Sequence, residues 1–199
     1  MSNIILIGIM GAGKSAVGRR LAERAGARFV DTDREIEREH NKAIAQIFET
    51  QGEAAFREIE TQLLRNMLER SIADHTPRRT MSAVFSTGGG VPLRPENAEL
   101  LKQLGHVVWL RARADTIANR VGHKLSQRPL IADYGHDLVG RIRDLQSERY
   151  PRYEMIADYI IDTDECANPD QAANLVFDHW KRHVATPKRH HDSSYKHNP

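Results

Sequence analysis

Most of what would mark a secreted, membrane-spanning or repetitive protein is scarce in this chain of 199 residues. It contains one cysteine, Cys166, so no intramolecular disulfide can form and nothing points to an oxidised extracellular fold. Cys166 reads instead as a small buried hydrophobe. No apolar run approaches the length of a membrane span. Lys and Arg total 29 against 27 Asp and Glu, and a formal charge of +2 is too small to argue for nucleic acid or a membrane surface. No internal repeat is visible. The chain enters an apolar segment of strand type directly after Met1-Ser2-Asn3, so no signal peptide is expected. The expectation is a single-domain, cytoplasmic protein, large enough to bury a full core.

What the chain does have begins at Ile4. The run Ile4-Ile5-Leu6-Ile7 leads into Gly8-Ile9-Met10-Gly11-Ala12-Gly13-Lys14-Ser15, and a helical pattern follows. Strand, Gly-x-x-x-x-Gly-Lys-Ser and helix is the context that the P-loop requires. Its backbone N–H groups form a nest for phosphate oxygens, and the helix N-terminus adds partial positive charge. Lys14 is placed to reach the β- and γ-phosphates and the Ser15 hydroxyl to ligate Mg²⁺. Gly11-Ala12-Gly13-Lys14-Ser15-Ala16 also fits the dinucleotide fingerprint Gly-x-Gly-x-x-Gly/Ala, with Asp31 and Asp33 about 20 residues on for a ribose. That alternative gives no reason for Gly8 or for a Lys-Ser pair at the helix mouth.

Short apolar strands alternate with helical stretches, the pattern of an α/β fold with a parallel sheet. Strands are expected at Ile4–Ile7, Arg28–Val30, Val84–Ser86, Val107–Leu110 and Tyr159–Ile161. Helices are expected at Lys14–Ala25, Asp33–Glu39, Ile44–Thr50, Glu53–Glu69, Pro95–Leu104, Ala114–Arg120, Leu138–Arg149 and Gln171–His183. The polar segment Asp74–Met81, with Pro77, reads as a surface loop. Residues 185–199, rich in His, Lys, Ser and Pro, lack apolar periodicity and read as a disordered tail beyond a domain of residues 1–184. His179 and His183 stand one helical turn apart. They suit a metal pair, but no carboxylate or cysteine completes a site nearby, and a solvated helix end is the competing reading.

Ligands in such sheets bind beyond the carboxyl ends of the strands, so the residues there carry the argument. The second strand runs into Asp31-Thr32-Asp33. Asp31 can supply the acidic partner for Mg²⁺, because the strand Val107–Leu110 ends on Arg111 and cannot. Asp33, two residues on, either steers the acceptor's hydroxyl proton or caps a helix. Asp162–Asp164 repeats the Asp-Thr-Asp pattern as a turn or cap, with nothing linking it to the P-loop. Arg57, in Phe56-Arg57-Glu58-Ile59-Glu60, is a surface arginine or a bidentate carboxylate ligand, and the residues alone leave both open. Gly88-Gly89-Gly90 lets backbone N–H groups approach a ligand. Arg120 through Arg128-Pro129-Leu130 has the look of a flap carrying arginines to phosphate. Arg149, at the end of its helix, is a further anion-binding candidate.

Taken together, GIMGAGKS, DTD at 31–33, FRxxE at 56–60, GGG at 88–90, RPL at 128–130 and RxPxY at 149–153 resemble the shikimate kinase family, within the nucleoside monophosphate kinase-like group, over about residues 3–183. The resemblance implies a five-stranded parallel sheet between helices, a substrate-binding subdomain and a lid at about 120–136. It implies transfer of the γ-phosphate of ATP to the 3-hydroxyl of shikimate, within aromatic amino-acid biosynthesis, with Mg²⁺ and in a monomer. Shikimate would be held by Asp33, Arg57, Gly88, Gly89, Gly90 and Arg149. ATP would be held by Gly11, Ala12, Gly13, Lys14, Ser15 and Ala16, by Arg120 and Arg128, and by Asn168-Pro169 beside the adenine. Ser15 and Asp31 would hold the metal, and Asp33, Lys14 and Arg128 would carry catalysis. Ala16 departs from the family's usual Thr, which removes a hydroxyl contact to the α-phosphate worth ~1 kcal/mol. The stretch from Arg120 to Arg128 is slightly longer than the family spacing. A gluconate-type sugar-acid kinase, a dinucleotide-dependent oxidoreductase and a nucleotide-binding regulator without turnover are the alternatives.

Overall fold

The computed structural model describes residues 3–73, 80–121 and 137–183. Five strands form one all-parallel sheet: β1 (Ile4–Ile7), β2 (Arg28–Asp31), β3 (Ala83–Ser86), β4 (His106–Arg111) and β5 (Tyr159–Asp162). Their order is β2-β3-β1-β4-β5, with β1 in the centre. Ile5 lies opposite Phe85 on one side and Val107 on the other. Every β1 side chain is buried because both faces of the sheet are covered, as parallel sheets require. The pleat sends Ile5, Ile7, Val107 and Trp109 into one core, and Ile4, Leu6, Val108 and Leu110 into the other.

Helices α1 (Lys14–Ala25) and α7 (Pro169–His183) cover the second face. Val17, Leu21, Ala172, Val176 and Trp180 form its core. The first face is covered by α2 (Thr32–His40), α3 (Ile44–Ala73), α4 (Pro95–Leu104), α5 (Ala114–Val121) and α6 (Leu138–Ile156). The two helices expected at 44–50 and 53–69 form one element, bent where Gly52 adopts φ 82°. Met81, expected in a surface loop, is buried against the sheet with Val84.

The main correction concerns α6. The helix expected to end at Arg149 runs on to Ile156 with Pro151 inside. Proline forfeits one backbone hydrogen bond. Against that, Ile142, Leu145, Arg149, Tyr153 and Ile156 recur at helical spacing and are all buried. Burial of the stripe outweighs the lost bond. Arg149 therefore lies mid-helix and faces inward rather than at a helix end.

His179 packs against the sheet edge rather than ending a solvated helix. Its ring stacks on Tyr159, with centroids 3.8 Å apart, and its Nε2 lies 3.0 Å from Nε2 of His106, the first residue of β4. Among the described residues no group of three or more His, Cys, Asp or Glu is arranged to hold a metal. Burial lowers the pKa of both rings, His179 to about 4. The folded chain thus keeps them neutral, whereas the unfolded chain protonates them near the ordinary 6.5. Their contribution to stability is full above pH 6.5 and is lost as pH falls toward about 4. Melting temperature should therefore decline between pH 6.5 and about 5 in wild type, and decline less steeply in His179→Gln. Thermal scans across that window check this.

Candidate functional site

The loop between β1 and α1 takes backbone angles open chiefly to glycine, with φ of 78° at Gly11 and 98° at Gly13. Gly13 serves as the N-cap of α1, so the first N–H groups of that helix open onto the loop. Ala12 is buried, and Ala16 is exposed on the first turn of α1. Lys14 Nζ donates to the carbonyls of Gly8 at 2.7 Å and Ile9 at 3.0 Å, which holds its ammonium along the loop. The Ser15 hydroxyl donates to Asp31 Oδ2 at 2.7 Å and lies 3.3 Å from Ser86 Oγ. Asp31 ends β2 and Ser86 ends β3, so three oxygen-bearing side chains meet beside the loop. Ser86 was not among the residues singled out from sequence; its only signal was its place at a strand end.

Arg120 also belongs to this region. Its guanidinium donates to the Gly11 carbonyl at 3.4 Å and to Thr163 Oγ1 at 3.1 Å. Through Thr163 the second Asp-Thr-Asp is tied to the P-loop, which corrects the reading that nothing links them. Asp162 and Asp164 themselves act as turn residues: Asp162 Oδ1 accepts from the Asp164 N–H, and Asp164 Oδ2 accepts from the Arg113 N–H. Asn168 Oδ1 accepts from the Gln171 N–H, and Pro169 opens α7, so this pair forms a helix cap. Cys166 is half-buried, with Sγ 3.6 Å from the Asp162 carbonyl. Arg128, most of the expected lid and residues 185–199 lie outside the described residues.

Next to the P-loop is a cleft of about 190 Å³. It brings together the residues that the sequence offered separately: Asp33 from α2, Arg57 from α3, Gly88, Gly89 and Gly90 after β3, and Arg149 from α6. Ile44, Phe48 and Phe56 supply an apolar wall, and Met10 of the P-loop supplies another side. Ala12, Gly13, Lys14 and Ser15 are not in its wall; they face the neighbouring phosphate region. Adding a Cβ at Gly89 would bring it to 3.5 Å from the Gly8 carbonyl oxygen, so the glycine loop and the P-loop touch. Gly88 donates its N–H to Thr32 Oγ1 at 3.1 Å, which pins the glycine loop to the start of α2.

The two arginines are held differently. Arg57, with its side chain 19% exposed, is gripped by Glu60 Oε2 and Glu53 Oε1, each at 2.8 Å. Arg94 donates to the Arg57 carbonyl and to Thr61 Oγ1, which fixes the helix beneath it. Arg149 is buried, and its Nε has no hydrogen-bond partner among the described residues. Tyr153, one turn on, donates to the Gly89 carbonyl, and burial holds its phenol well above the usual range. Glu60 is buried too. Desolvation raises its carboxyl to about 7 against the opposing pull of Arg57, with the Asp33 charge adding to the rise. Its signal in the sequence was the Glu of FRxxE, to which no role was attached.

The cleft and the P-loop thus share a wall, with two arginines on the cleft side and Lys14 held along the loop on the other. The family model described as shikimate kinase matches residues 10–180. The chain belongs to the shikimate kinase family. It is 41% identical to the shikimate kinase of Symbiobacterium thermophilum over 87% of this chain and 94% of that one. It is 40% identical to that of Pelotomaculum thermopropionicum over 92% and 98%. Among solved structures, shikimate kinase from Acinetobacter baumannii in complex with shikimate is 37% identical, with a TM-score of 0.77 over 88% of this chain and 90% of that one. The five-stranded fold is that of the family. Its activity, ATP-dependent phosphorylation of shikimate, is the activity of this chain. The sugar-acid kinase and oxidoreductase alternatives are set aside.

One glycine tests the arrangement. A Cβ on Gly90 would overlap the Arg57 guanidinium, while its φ of −86° suits any residue. Gly90→Ala should displace Arg57 without straining the backbone. The expected result is a shikimate KM raised about tenfold, equivalent to ~1.4 kcal/mol, with the KM for ATP and the melting temperature little changed. Steady-state kinetics with each substrate varied in turn checks it.

Proposed function

We propose that shikimate occupies the cleft lined by Arg57, Arg149 and the triple-glycine loop, with its reacting 3-hydroxyl directed at the P-loop. The observation that carries this reading is Met10: a P-loop residue is itself part of the cleft wall, so acceptor and γ-phosphate are neighbours. Arg57 and Arg149 come from different helices, and their forks clamp the carboxylate by charge-assisted hydrogen bonds. Gly88–Gly90 allow the ring to lie against backbone. Asp33 takes or steers the proton of the attacking hydroxyl. Phe48 and Phe56 keep water from competing as acceptor.

On the donor side, the P-loop N–H groups and Lys14 hold the phosphates. Lys14 exchanges its contacts with the Gly8 and Ile9 carbonyls for phosphate oxygens. Arg120 sits between the P-loop and Thr163, where it borders the nucleotide. Asn168-Pro169 borders the adenine, and Arg128 is assigned to the transferring phosphoryl group on the family resemblance. Ser15, Asp31 and Ser86 present only oxygens, a donor set that suits a hard cation. Ser15 would hold Mg²⁺ directly and Asp31 through water, and the ion would neutralise charge on the β- and γ-phosphates. Transfer is in line, and positioning and charge neutralisation supply most of the acceleration.

Two sets of variants test the assignment. Asp33→Asn should lose ~10²–10⁴-fold in kcat and keep its nucleotide affinity; a near-normal kcat would reduce Asp33 to a residue of the helix start. Arg57→Ala and Arg149→Ala should each lower kcat/KM for shikimate by roughly tenfold to hundredfold, with ATP affinity intact. Lysine should rescue poorly, and the double variant should lose less than the product of the singles. Equal weakening of ATP and shikimate would show that the arginines do not serve the acceptor.

A further inference from the structure

We infer that shikimate binding is coupled to the uptake of one proton from solvent, and that the carboxylate of Glu60 receives it. The inference rests on the placement of shikimate proposed above, and it assigns a partner to the buried carboxylate which that mechanism leaves unused.

The argument is one of charge in a confined space. Among the described residues the cleft is lined by two cationic side chains, Arg57 on α3 and Arg149 on α6. It also holds two carboxylates, Glu60 on α3 and Asp33 on α2, and Glu53 reaches Arg57 from the exposed rim. The glycine loop contributes no ionisable group, and no histidine is among the described residues lining the cleft. Before the acceptor enters, the two arginines balance the two carboxylates. Shikimate brings a third carboxylate into a space walled by Ile44, Phe48 and Phe56. Two cations then face three anions in surroundings that screen charge poorly.

Among the three, Glu60 gains least by staying charged. Shikimate's carboxylate sits between the arginines, and Asp33 is needed ionised to accept the hydroxyl proton. Glu60 has a side chain only 2% exposed, so water does little for its charge. Its one close counter-ion among the described residues is the Arg57 NH1 at 2.8 Å, and that guanidinium is now shared with the substrate. Glu60 Oε1 and Asp33 Oδ1 both approach the Cβ position of Gly88, at 3.1 and 2.8 Å, so the two oxygens lie no more than about 6 Å apart, within range of like-charge repulsion. Burial has already brought Glu60 to the edge of protonation, at about 7. An added negative charge raises it further. The proton moves from solvent to a Glu60 oxygen; no bond to carbon or phosphorus changes. A neutral Glu60 then has an O–H to donate and releases Arg57 to the substrate.

The sign follows from linkage. Below pH about 6, Glu60 is already protonated and binding takes up almost nothing. Above about 7, binding requires a proton, so shikimate affinity falls as pH rises, approaching tenfold per pH unit. The test is calorimetric titration of the full chain with shikimate at pH 6 and pH 8.5, each in two buffers of different ionisation enthalpy. Uptake approaching one proton at pH 8.5 and near zero at pH 6 is expected. In Glu60→Gln, whose amide mimics the protonated acid, uptake at pH 8.5 and the pH dependence of KM should both disappear. Infrared difference spectra of wild type should show the carbonyl band of a protonated carboxyl on adding shikimate at pH 8.5, a readout that does not depend on the variant folding. Binding without proton uptake, or uptake that survives in a folded Glu60→Gln, overturns the inference and leaves the cleft assignment standing. Failure of shikimate to bind, or binding insensitive to Arg57→Ala and Arg149→Ala, overturns both.

Discussion

The close approach of two backbones at the carboxyl end of the sheet sets the rest of the site. β1 and β3 are adjacent and parallel, so the P-loop and the triple-glycine loop leave the sheet side by side. Thr87 extends their pairing past the strand, with both its N–H and its hydroxyl donating to the Leu6 carbonyl. Only then do the loops diverge, and at Gly8 and Gly89 they still touch. A donor site and an acceptor site built on neighbouring parallel strands are close by construction. The βαβ connection puts α1 on one face and α3 and α4 on the other, which frees the strand ends for ligands.

Around that meeting point the charges are arranged in opposed pairs rather than as isolated groups. Arg57 has a guanidinium large enough to bind Glu60 inside, Glu53 outside and still face Gly90. A buried ion pair contributes little net stability once desolvation is counted. Its value here is orientation: an arginine held at both ends presents its fork without losing rotamer freedom on binding. Arg149 achieves the same by burial in α6, with Tyr153 braced on the Gly89 carbonyl beside it. The two arginines are thus fixed by different means, one by electrostatics and one by packing.

Much of this was legible from the chain. Each strand was placed to within one residue, because buried parallel strands are short apolar runs bounded by turn residues. The P-loop and the triple glycine announced themselves, since such clusters have no use in ordinary helices or strands. What was hidden depended on contacts distant in sequence. Arg149 was placed at a helix end; Pro151 is a local stop signal, whereas the stripe that carries α6 through it is a tertiary effect. Ser86 became a candidate only when β3 was paired beside β2, and Arg120 joined the P-loop to Thr163 only when β4 and β5 were paired. Glu60 stood in a quoted motif, but neither its burial nor the nearness of Asp33 can be read from a helix in isolation.

The segment Asp31-Thr32-Asp33 shows how little sequence is needed to connect the parts. At the end of β2 the chain turns into α2, and three consecutive side chains diverge. Asp31 accepts from Ser15 at the helix that carries the P-loop. Thr32, buried, accepts the Gly88 N–H at the acceptor loop. Asp33 turns into the cleft, with Oδ1 against Gly88. Ser15, the glycine loop and the cleft therefore meet at one turn. A shift of that turn moves all three together and preserves their relative geometry, which in-line transfer demands more strictly than any single contact. The repeated Asp-Thr-Asp at residues 162–164 has a turn of the same composition, at the end of β5 on the opposite edge of the sheet. There the same residues only cap, bridge and brace Arg120. What each turn meets beyond its strand, the triple-glycine loop in one case and Arg120 in the other, sets the two apart, not the motif itself.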